Sequence, residues 1–209
     1  MEISYFEEIK RKLVHLSSLW MVAATLLMAQ YRVWCCLLFA VLLLITLISE
    51  HDYANGGRYL GRLYGRLFGK MMRKEPVPGQ WIVSGGAPVL GAALMVNILF
   101  TPVIAAASLA VMLTGDAFAA LIGRRFGRHK LVNGKSLEGT VSFFIAGFAA
   151  LSIVFLVSGV HSSFYFCGTA GVFLAALVEL FQKQLKLDDN FTVPLAVGCV
   201  LFLAVKMGI

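Results

Sequence analysis

Charged residues are scarce in this chain. Asp, Glu, Lys and Arg make up 14% of its 209 residues, whereas a typical soluble domain carries about 25%. Hydrophobic residues account for 59%, and the mean hydropathy is +0.84. This composition excludes an ordinary soluble globular domain, and the length favours a single domain over residues 1–209. The sequence therefore predicts an all-α, polytopic membrane protein.

Cysteine is also scarce, and its placement excludes two classes of small domain. None of the four cysteines belongs to a CxxC pair, and all of them lie inside apolar runs: Cys35, Cys36, Cys167 and Cys199. A disulfide framework or a zinc site requires clustered, regularly spaced ligands. We therefore interpret these residues as small buried hydrophobic side chains.

Seven apolar runs are long enough to cross about 30 Å of hydrocarbon. They cover approximately residues 13–30, 33–49, 81–100, 102–121, 140–158, 164–181 and 191–207. Very short connectors alternate with longer polar ones, and the longer ones are 50–80, 122–139 and 182–190. The pattern predicts about seven transmembrane helices.

The basic residues predict the orientation of these helices. The net charge is +7, and 16 of the 18 Lys and Arg residues lie in the N-terminal tail and the three longer connectors. By the positive-inside rule, the N-terminus and these connectors are cytoplasmic. Membrane topology thus explains the basic excess, and we expect no nucleic-acid partner. The sequence carries no signal for the oligomeric state.

Acidic residues are the rarest charged class, and their distribution bears on function. All eleven lie in, or within about two turns of, the predicted cytoplasmic face. An ion-coupled transporter is expected to hold a carboxylate near the bilayer midplane. The sequence therefore disfavours a transporter or channel and predicts chemistry, including any active site, at the cytoplasmic interface.

A four-residue repeat, GRYL-GRLY-GRLF-GKMM, occupies residues 57–72 and predicts a cytoplasmic interfacial helix over 57–74. On a helix its glycines form one stripe, beside a stripe of cations: Arg58, Arg62, Arg66 and Lys70. In one interpretation the cations meet anionic lipid head groups. In the other, the glycines dock on a membrane helix while the arginines bind a substrate phosphate.

Asp116 is the most informative carboxylate. It lies about one and a half turns from the cytoplasmic end of its predicted span, on a face of small residues. An ionisable group at this depth is costly unless it is paired or bound to a metal, so the position favours a function. The alternative is a structural salt bridge to Arg124 or Arg125.

The next span opens with the sequence GKSLEGT at 134–140. Its helix N-terminus offers free N–H groups and a positive dipole end to an anion, and five nearby residues add positive charge: Arg124, Arg125, Arg128, Lys130 and Lys135. The segment therefore predicts an anion site. The alternative is a basic loop followed by an N-capped helix.

The last polar connector ends in Asp188, Asp189 and Asn190, shortly before Pro194. These residues suit the first turn of a helix, where carboxylates are favoured by the helix dipole. Alternatively, one aspartate binds Mg²⁺, which prefers one or two carboxylates together with substrate phosphates. Glu179, about three turns earlier, is placed to face the same pocket.

These motifs together resemble the CTP-dependent lipid kinases: dolichol kinase, phytol kinase and the fungal diacylglycerol kinase. The resemblance rests on GDAFAALIGRRFGRHK, GKSLEGT and DDNFTVPL, and on similar residues around Arg11-Lys12, His15 and Glu50. It implies a single membrane-embedded kinase domain that transfers the γ-phosphate of CTP, or of another nucleoside triphosphate, to a lipid hydroxyl. The expected acceptor is a polyisoprenoid alcohol of the dolichol, phytol or polyprenol type.

Two other lipid enzymes stay open as alternatives. The first is a diacylglycerol kinase that makes phosphatidate. The second is a phosphatidate cytidylyltransferase, a family that shares the GD…K[ST]xEG core. Its usual C-terminal Lys-Asp…Pro-Gly-His-Gly-Gly signature is absent from this sequence, which favours the kinases.

The resemblance and the chemistry of the residues together predict four sets of site residues. The catalytic set is Asp116, Lys135 and Glu138, where Glu138 orients Lys135 or acts as a general base. The nucleotide is expected at Arg124, Arg125, Lys130, Lys135, Ser136 and Gly139. Mg²⁺ is expected at Asp116 and Asp189. The lipid substrate is expected near His15, Glu50, Glu179 and Asn190.

Overall fold

The computed structural model describes residues 5–57, 60–68 and 86–208. Within these ranges the chain forms ten α-helices, and the only strand-like pairing is an isolated bridge between Lys130 and Ser136. The helices are α1 Tyr5–Ser17, α2 Trp20–Leu27, α3 Arg32–Ala54, α4 Leu60–Phe68, α5 Gly86–Leu99, α6 Pro102–Phe126, α7 Leu137–Val157, α8 Ser163–Leu180, α9 Gln182–Leu185 and α10 Asp189–Lys206. The all-α prediction is confirmed.

Five of the described helices are long and apolar enough to cross a membrane. They are α3 with the turn before it (Ala29–Ala54), α6, α7, α8 and α10, and they match five of the seven predicted runs. The run predicted over 81–100 is described only from residue 86, as the shorter apolar helix α5. The protein is therefore a polytopic membrane protein.

The run predicted over 13–30 differs from a single helix. The helix breaks at Ser18 and Leu19, between the end of α1 and the start of α2. The two helices have different surroundings: α1 carries the buried charged side chains of Glu8 and Lys12, whereas apolar α2 packs its residue Met21 into the core beside α6. Hydropathy alone does not detect this change, because Leu13, Val14 and Leu16 at the end of α1 continue the apolar run up to the break.

Helix α6 is the centre of the bundle. Ten successive residues from Ile104 to Leu113 are buried, and α1, α2, α5, α7, α8 and α10 pack around it. Small residues allow this close packing, since a Cβ placed on Gly115 would lie 2.8 Å from the ring of Phe143 on α7. On the outer surface, large apolar side chains such as Phe166 are exposed, as expected of a surface that faces lipid.

Helices α3 and α5 pack side by side, which fixes the end of the bundle at which α3 finishes. Arg32, at the start of α3, donates hydrogen bonds of 2.6 Å to the carbonyl groups of Asn97 and Ile98 at the end of α5. Only Phe100 and Thr101 separate α5 from α6. The C-terminal end of α3 therefore lies at the same end of the bundle as the C-terminal end of α6.

The interfacial helix predicted over 57–74 is described as α4. Residues 58–59 and 69–74, which include Arg58 and Lys70, lie outside the described residues. In the described part, a Cβ on Gly61 would lie 2.3 Å from the backbone nitrogen of Tyr53 on α3. A Cβ on Gly65 would lie 2.2 Å from the Tyr53 ring. The prediction that the glycine stripe docks on a membrane helix is thus confirmed for these two glycines.

Candidate active site

Charged side chains from distant parts of the chain meet at one end of the bundle, where α6 and α8 end and α7 and α10 begin. We refer to them as the ionic cluster: Glu8, Arg11, Lys12 and His15 of α1, Asp116 and Arg124 of α6, Lys135 just before α7, Glu179 of α8, and Asp189 of α10. His15 apart, the cluster holds four carboxylates and four cations.

Asp116 lies against α1. Its carboxylate is 2.5 Å from Nζ of Lys12 and 3.3 Å from Nε2 of His15. Lys12 is only 4% exposed, whereas the Asp116 side chain is about a quarter exposed. The partners of Asp116 therefore lie on α1. The alternative interpretation, a salt bridge to Arg124 or Arg125 of α6, is not what the structure shows.

Glu8 ties α1 to the end of α6. It is 2% exposed, accepts a hydrogen bond from Arg11, and lies 3.7 Å from the guanidinium of Arg124. Burial would raise the pKa of Glu8. The hydrogen bond from Arg11 and the charges of Arg11, Lys12 and Arg124 outweigh burial, so this pKa is lowered. Glu8 therefore stays ionised at neutral pH.

Sequence reasoning missed Glu8 and Lys12 as site residues. The signal was their spacing, because Glu8, Lys12 and His15 stand at positions i, i+4 and i+7, which share one face of a helix. A helix face that carries two oppositely charged residues and a histidine predicts that this face meets charged partners.

Lys135 is the second cation that holds a carboxylate. Its Nζ lies 2.5 Å from Oε1 of Glu179 and also donates to the backbone carbonyl of the same residue. Ser136, which is buried, caps α7: its Oγ accepts a 3.2 Å hydrogen bond from the backbone nitrogen of Gly139. Lys135 is thus oriented by Glu179, and not by Glu138 as one prediction had it.

Glu138 instead holds the loop before α7. Its carboxylate lies 2.7 Å from Nδ1 of His129 and accepts a 3.2 Å hydrogen bond from the His129 backbone nitrogen. Lys130 bridges to Ser136 through the backbone, and its side chain is exposed. Arg125 is exposed as well, with its guanidinium 5.5 Å from the ring centre of Phe126. These residues surround the loop rather than the buried part of the cluster.

Glycines allow the loop to pack against α6. A Cβ on Gly127 would lie 2.5 Å from Oγ of Ser136, and a Cβ on Gly139 would lie 3.0 Å from the carbonyl oxygen of Ala119. Gly139, predicted as a nucleotide contact, is therefore buried at the contact between α6 and α7. This contact holds the segment that carries Lys135 against the C-terminal part of α6.

The two adjacent aspartates at the start of α10 have different surroundings. Asp188 is the N-cap, because its Oδ1 accepts a 2.9 Å hydrogen bond from the backbone nitrogen of Asn190, whose side chain also bonds to it at 2.7 Å. The carboxyl group of Asp189 interacts electrostatically with the carboxylate of Asp116 and with the ammonium group of Lys135. The capping interpretation is confirmed for Asp188, whereas Asp189 belongs to the ionic cluster.

Two of the four predicted lipid-site residues, His15 and Glu179, lie in the cluster, and Asn190 lies beside it. Glu50 does not. It is 1% exposed and accepts a 3.0 Å hydrogen bond from the hydroxyl of Tyr64, within the packing of α4 on α3.

The carboxylates fit a metal ion only in company with phosphates. Within the described residues, no group of three or more His, Cys, Asp or Glu side chains is placed to hold a metal ion. Mg²⁺, however, commonly uses one or two carboxylates and takes its remaining ligands from substrate phosphates and water. Asp116 and Asp189 are the two carboxylates predicted for that role, and their binding of Mg²⁺ stays a prediction.

Comparisons with known proteins give relatives of two kinds. An uncharacterized protein of Rickettsia prowazekii is 28% identical over 192 residues, which is 90% of both chains. The phytol kinase of Synechocystis is 38% identical over 97 residues, or 45% of this chain and 41% of that protein. The probable phytol kinase 1 of rice chloroplasts is 35% identical over 98 residues, or 43% of this chain and 31% of that protein.

No family model matches the chain, and no solved structure matches it either. The matched stretch spans about a third to two fifths of the length of these phytol kinases. The comparisons support a phytol kinase-like family for this chain.

Proposed function

We propose that this protein is a membrane kinase that transfers the γ-phosphate of CTP, or of another nucleoside triphosphate, to the hydroxyl of a polyisoprenoid alcohol. The observation that carries the proposal is the ionic cluster. It places carboxylates and cations together at one end of a bundle of membrane helices, in a chain similar to phytol kinases. We place this end of the bundle on the cytoplasmic side, where the nucleotide is available, because the basic connectors lie there.

Phosphoryl transfer needs the reactants in line and the charge on the phosphates neutralised, with little covalent help from the protein. In the proposed reaction a bond forms between the lipid oxygen and the γ-phosphorus, and the bond from that phosphorus to the β–γ bridging oxygen breaks. The nucleoside diphosphate leaves, and the hydroxyl proton passes to a carboxylate of the cluster. The cations and carboxylates needed for each part of this reaction are present in the cluster.

We assign the nucleotide phosphates to Lys135, Arg124 and the N-terminus of α7, with Arg125 and Lys130 at the rim. Asp116 and Asp189 would hold Mg²⁺, which would neutralise negative charge on the phosphates. In the structure, Lys12 neutralises Asp116. We propose that the Lys12 ammonium turns to the phosphates when the nucleotide binds.

We assign the lipid hydroxyl to the neighbourhood of His15 and Glu179, which line the cluster from α1 and α8. Because α1 is amphipathic and lies at the edge of the bundle, a prenol enters between it and the membrane helices. Glu138 is bonded to His129, which favours a role in holding the loop over proton transfer.

The fate of a labelled phosphate tests this proposal. The purified full chain in nanodiscs is supplied with Mg²⁺ and CTP labelled at either the γ- or the α-phosphate, with phytol, geranylgeraniol, a longer polyprenol or diacylglycerol as acceptor. We expect the γ-label on a prenol and the α-label in soluble CDP. Incorporation of the α-label into a lipid would instead indicate a cytidylyltransferase. Phosphorylation of diacylglycerol alone would contradict the assignment of a prenol as the acceptor. If no lipid is labelled with CTP, UTP or ATP as the donor, the proposed kinase activity is contradicted.

A further inference from the structure

An open cavity of about 350 Å³ lies where α4 meets the end of α3. These two helices contribute none of the side chains of the ionic cluster, so the cavity is a feature that the proposed reaction does not use. It is lined by Tyr53, Gly56, Gly57, Arg62, Gly65 and Arg66.

The walls of the cavity are fixed by close backbone packing. A Cβ on Gly61 would lie 2.3 Å from the backbone nitrogen of Tyr53, so no larger side chain fits there without moving the helix. The backbone nitrogen of Gly61 also donates a 2.7 Å hydrogen bond to Asp52, which satisfies one of the free N–H groups at the start of α4. Helix α4 is therefore fixed on α3 by close backbone packing and by this hydrogen bond.

The same packing engages the nearby acidic side chains. Asp52 accepts the hydrogen bond from Gly61, and buried Glu50 accepts one from the hydroxyl of Tyr64. Both carboxylates are thus directed into the contact between α3 and α4. In the described part of the chain, no carboxylate bonds to Arg62 or Arg66, the two cations that line the cavity.

Helix α4 has a third face that is apolar and exposed. Leu60, Leu63 and Leu67 stand at positions i, i+3 and i+7, and each is about half exposed. A helix with its glycines docked on protein, its arginines at a cavity and its leucines exposed presents a cation pair directly beside an apolar surface. That combination matches a ligand with a negatively charged head and hydrocarbon chains.

We propose that this cavity binds the phosphate head group of an anionic membrane phospholipid. Arg62 and Arg66 hold the phosphate, and the leucine face of α4 lies against the acyl chains. A soluble phosphate compound would use the arginines but not the leucines, which is why the structure favours a lipid. The site is separate from the nucleotide site, and its occupation does not depend on the proposed reaction.

Native mass spectrometry of the full chain tests the site. The protein is released from nanodiscs made of equal parts of dioleoylphosphatidylcholine and dioleoylphosphatidylglycerol, and the retained lipids are counted. We expect the wild type to retain phosphatidylglycerol selectively. In Arg62→Gln/Arg66→Gln this retention weakens about thirtyfold, since each cation near an anionic surface contributes about fivefold. The matched control Lys10→Gln/Lys206→Gln removes the same charge from two exposed positions elsewhere and retains the lipid.

A second variant separates the cavity from its charge. Gly61→Val keeps both arginines but displaces α4, so we expect it to lose the selective retention as well, while circular dichroism shows the other helices intact. The proposal is overturned if the wild type shows no preference for phosphatidylglycerol, or if both double variants lose it equally. It is also overturned if Gly61→Val retains the lipid, or if glycerol phosphate in the buffer displaces the lipid, which would indicate a site for soluble phosphates.

Discussion

Asp189→Asn is expected to lower the rate of prenol phosphorylation on the order of a hundred- to a thousandfold, the usual effect of removing one preorganised charge-stabilising group from an active site. The side chain keeps its size, so the helix start is unchanged. Asp189 lies among other carboxylates, Asp116 and Asp188, and neutralising it relieves their repulsion. The melting temperature should therefore stay the same or rise while activity falls, and initial rates together with thermal melts measure both.

The adjacent residue supplies a matched control. Asp188 caps α10 through a hydrogen bond from the Asn190 backbone, and asparagine is as good an N-cap as aspartate. Asp188→Asn should therefore retain both stability and activity. The assignment of Asp189 to the site is contradicted if the two variants have equal activity.

Lys135→Met is expected to abolish measurable transfer and also to destabilise the protein. The change leaves Glu179, whose side chain is 8% exposed, without its cation. Breaking a buried ion pair by removing one partner costs about 3 kcal/mol or more. Since Lys135 is itself about a quarter exposed, the loss is expected at the lower end of that range, and a thermal melt detects it as a clear fall in melting temperature.

A double variant separates the two effects of Lys135. In Lys135→Met/Glu179→Gln the uncompensated charge is gone, so most of the stability should return. The phosphate-binding cation is still missing, so activity should not return. Recovery of both properties in the double variant would mean that Lys135 serves only to neutralise Glu179.

Much of the helical framework follows from the sequence, because a span must bury about twenty apolar residues in lipid. Helices α6, α7, α8 and α10 begin and end within a few residues of the predicted runs. Local polar residues also indicated their boundaries: Ser136 caps α7 and Asp188 caps α10 through short-range hydrogen bonds. Such bonds depend only on neighbours in the chain.

The pairing inside the site did not follow from the sequence. Lys12 and Asp116 are separated by 104 positions. The partner of Lys135 is Glu179 on α8, whereas the sequence predicts the nearby Glu138 as one option. These contacts depend on how the helices pack, which hydropathy does not encode. The break at Ser18 has the same origin, because it lets charged α1 reach Asp116 while apolar α2 follows α6.

In the proposed reaction, Asp116 and Asp189 would hold a metal ion together with the nucleotide. Titration of the purified chain with Mn²⁺, followed by electron paramagnetic resonance with and without CTP, measures this directly. We expect one tightly bound Mn²⁺ per chain only when CTP is present. The affinity for Mn²⁺ should fall at least about tenfold in Asp116→Asn and in Asp189→Asn, since each variant loses a charged ligand. It should be unchanged in Asp188→Asn. Equal Mn²⁺ affinity in the wild type and in all three variants would contradict the account.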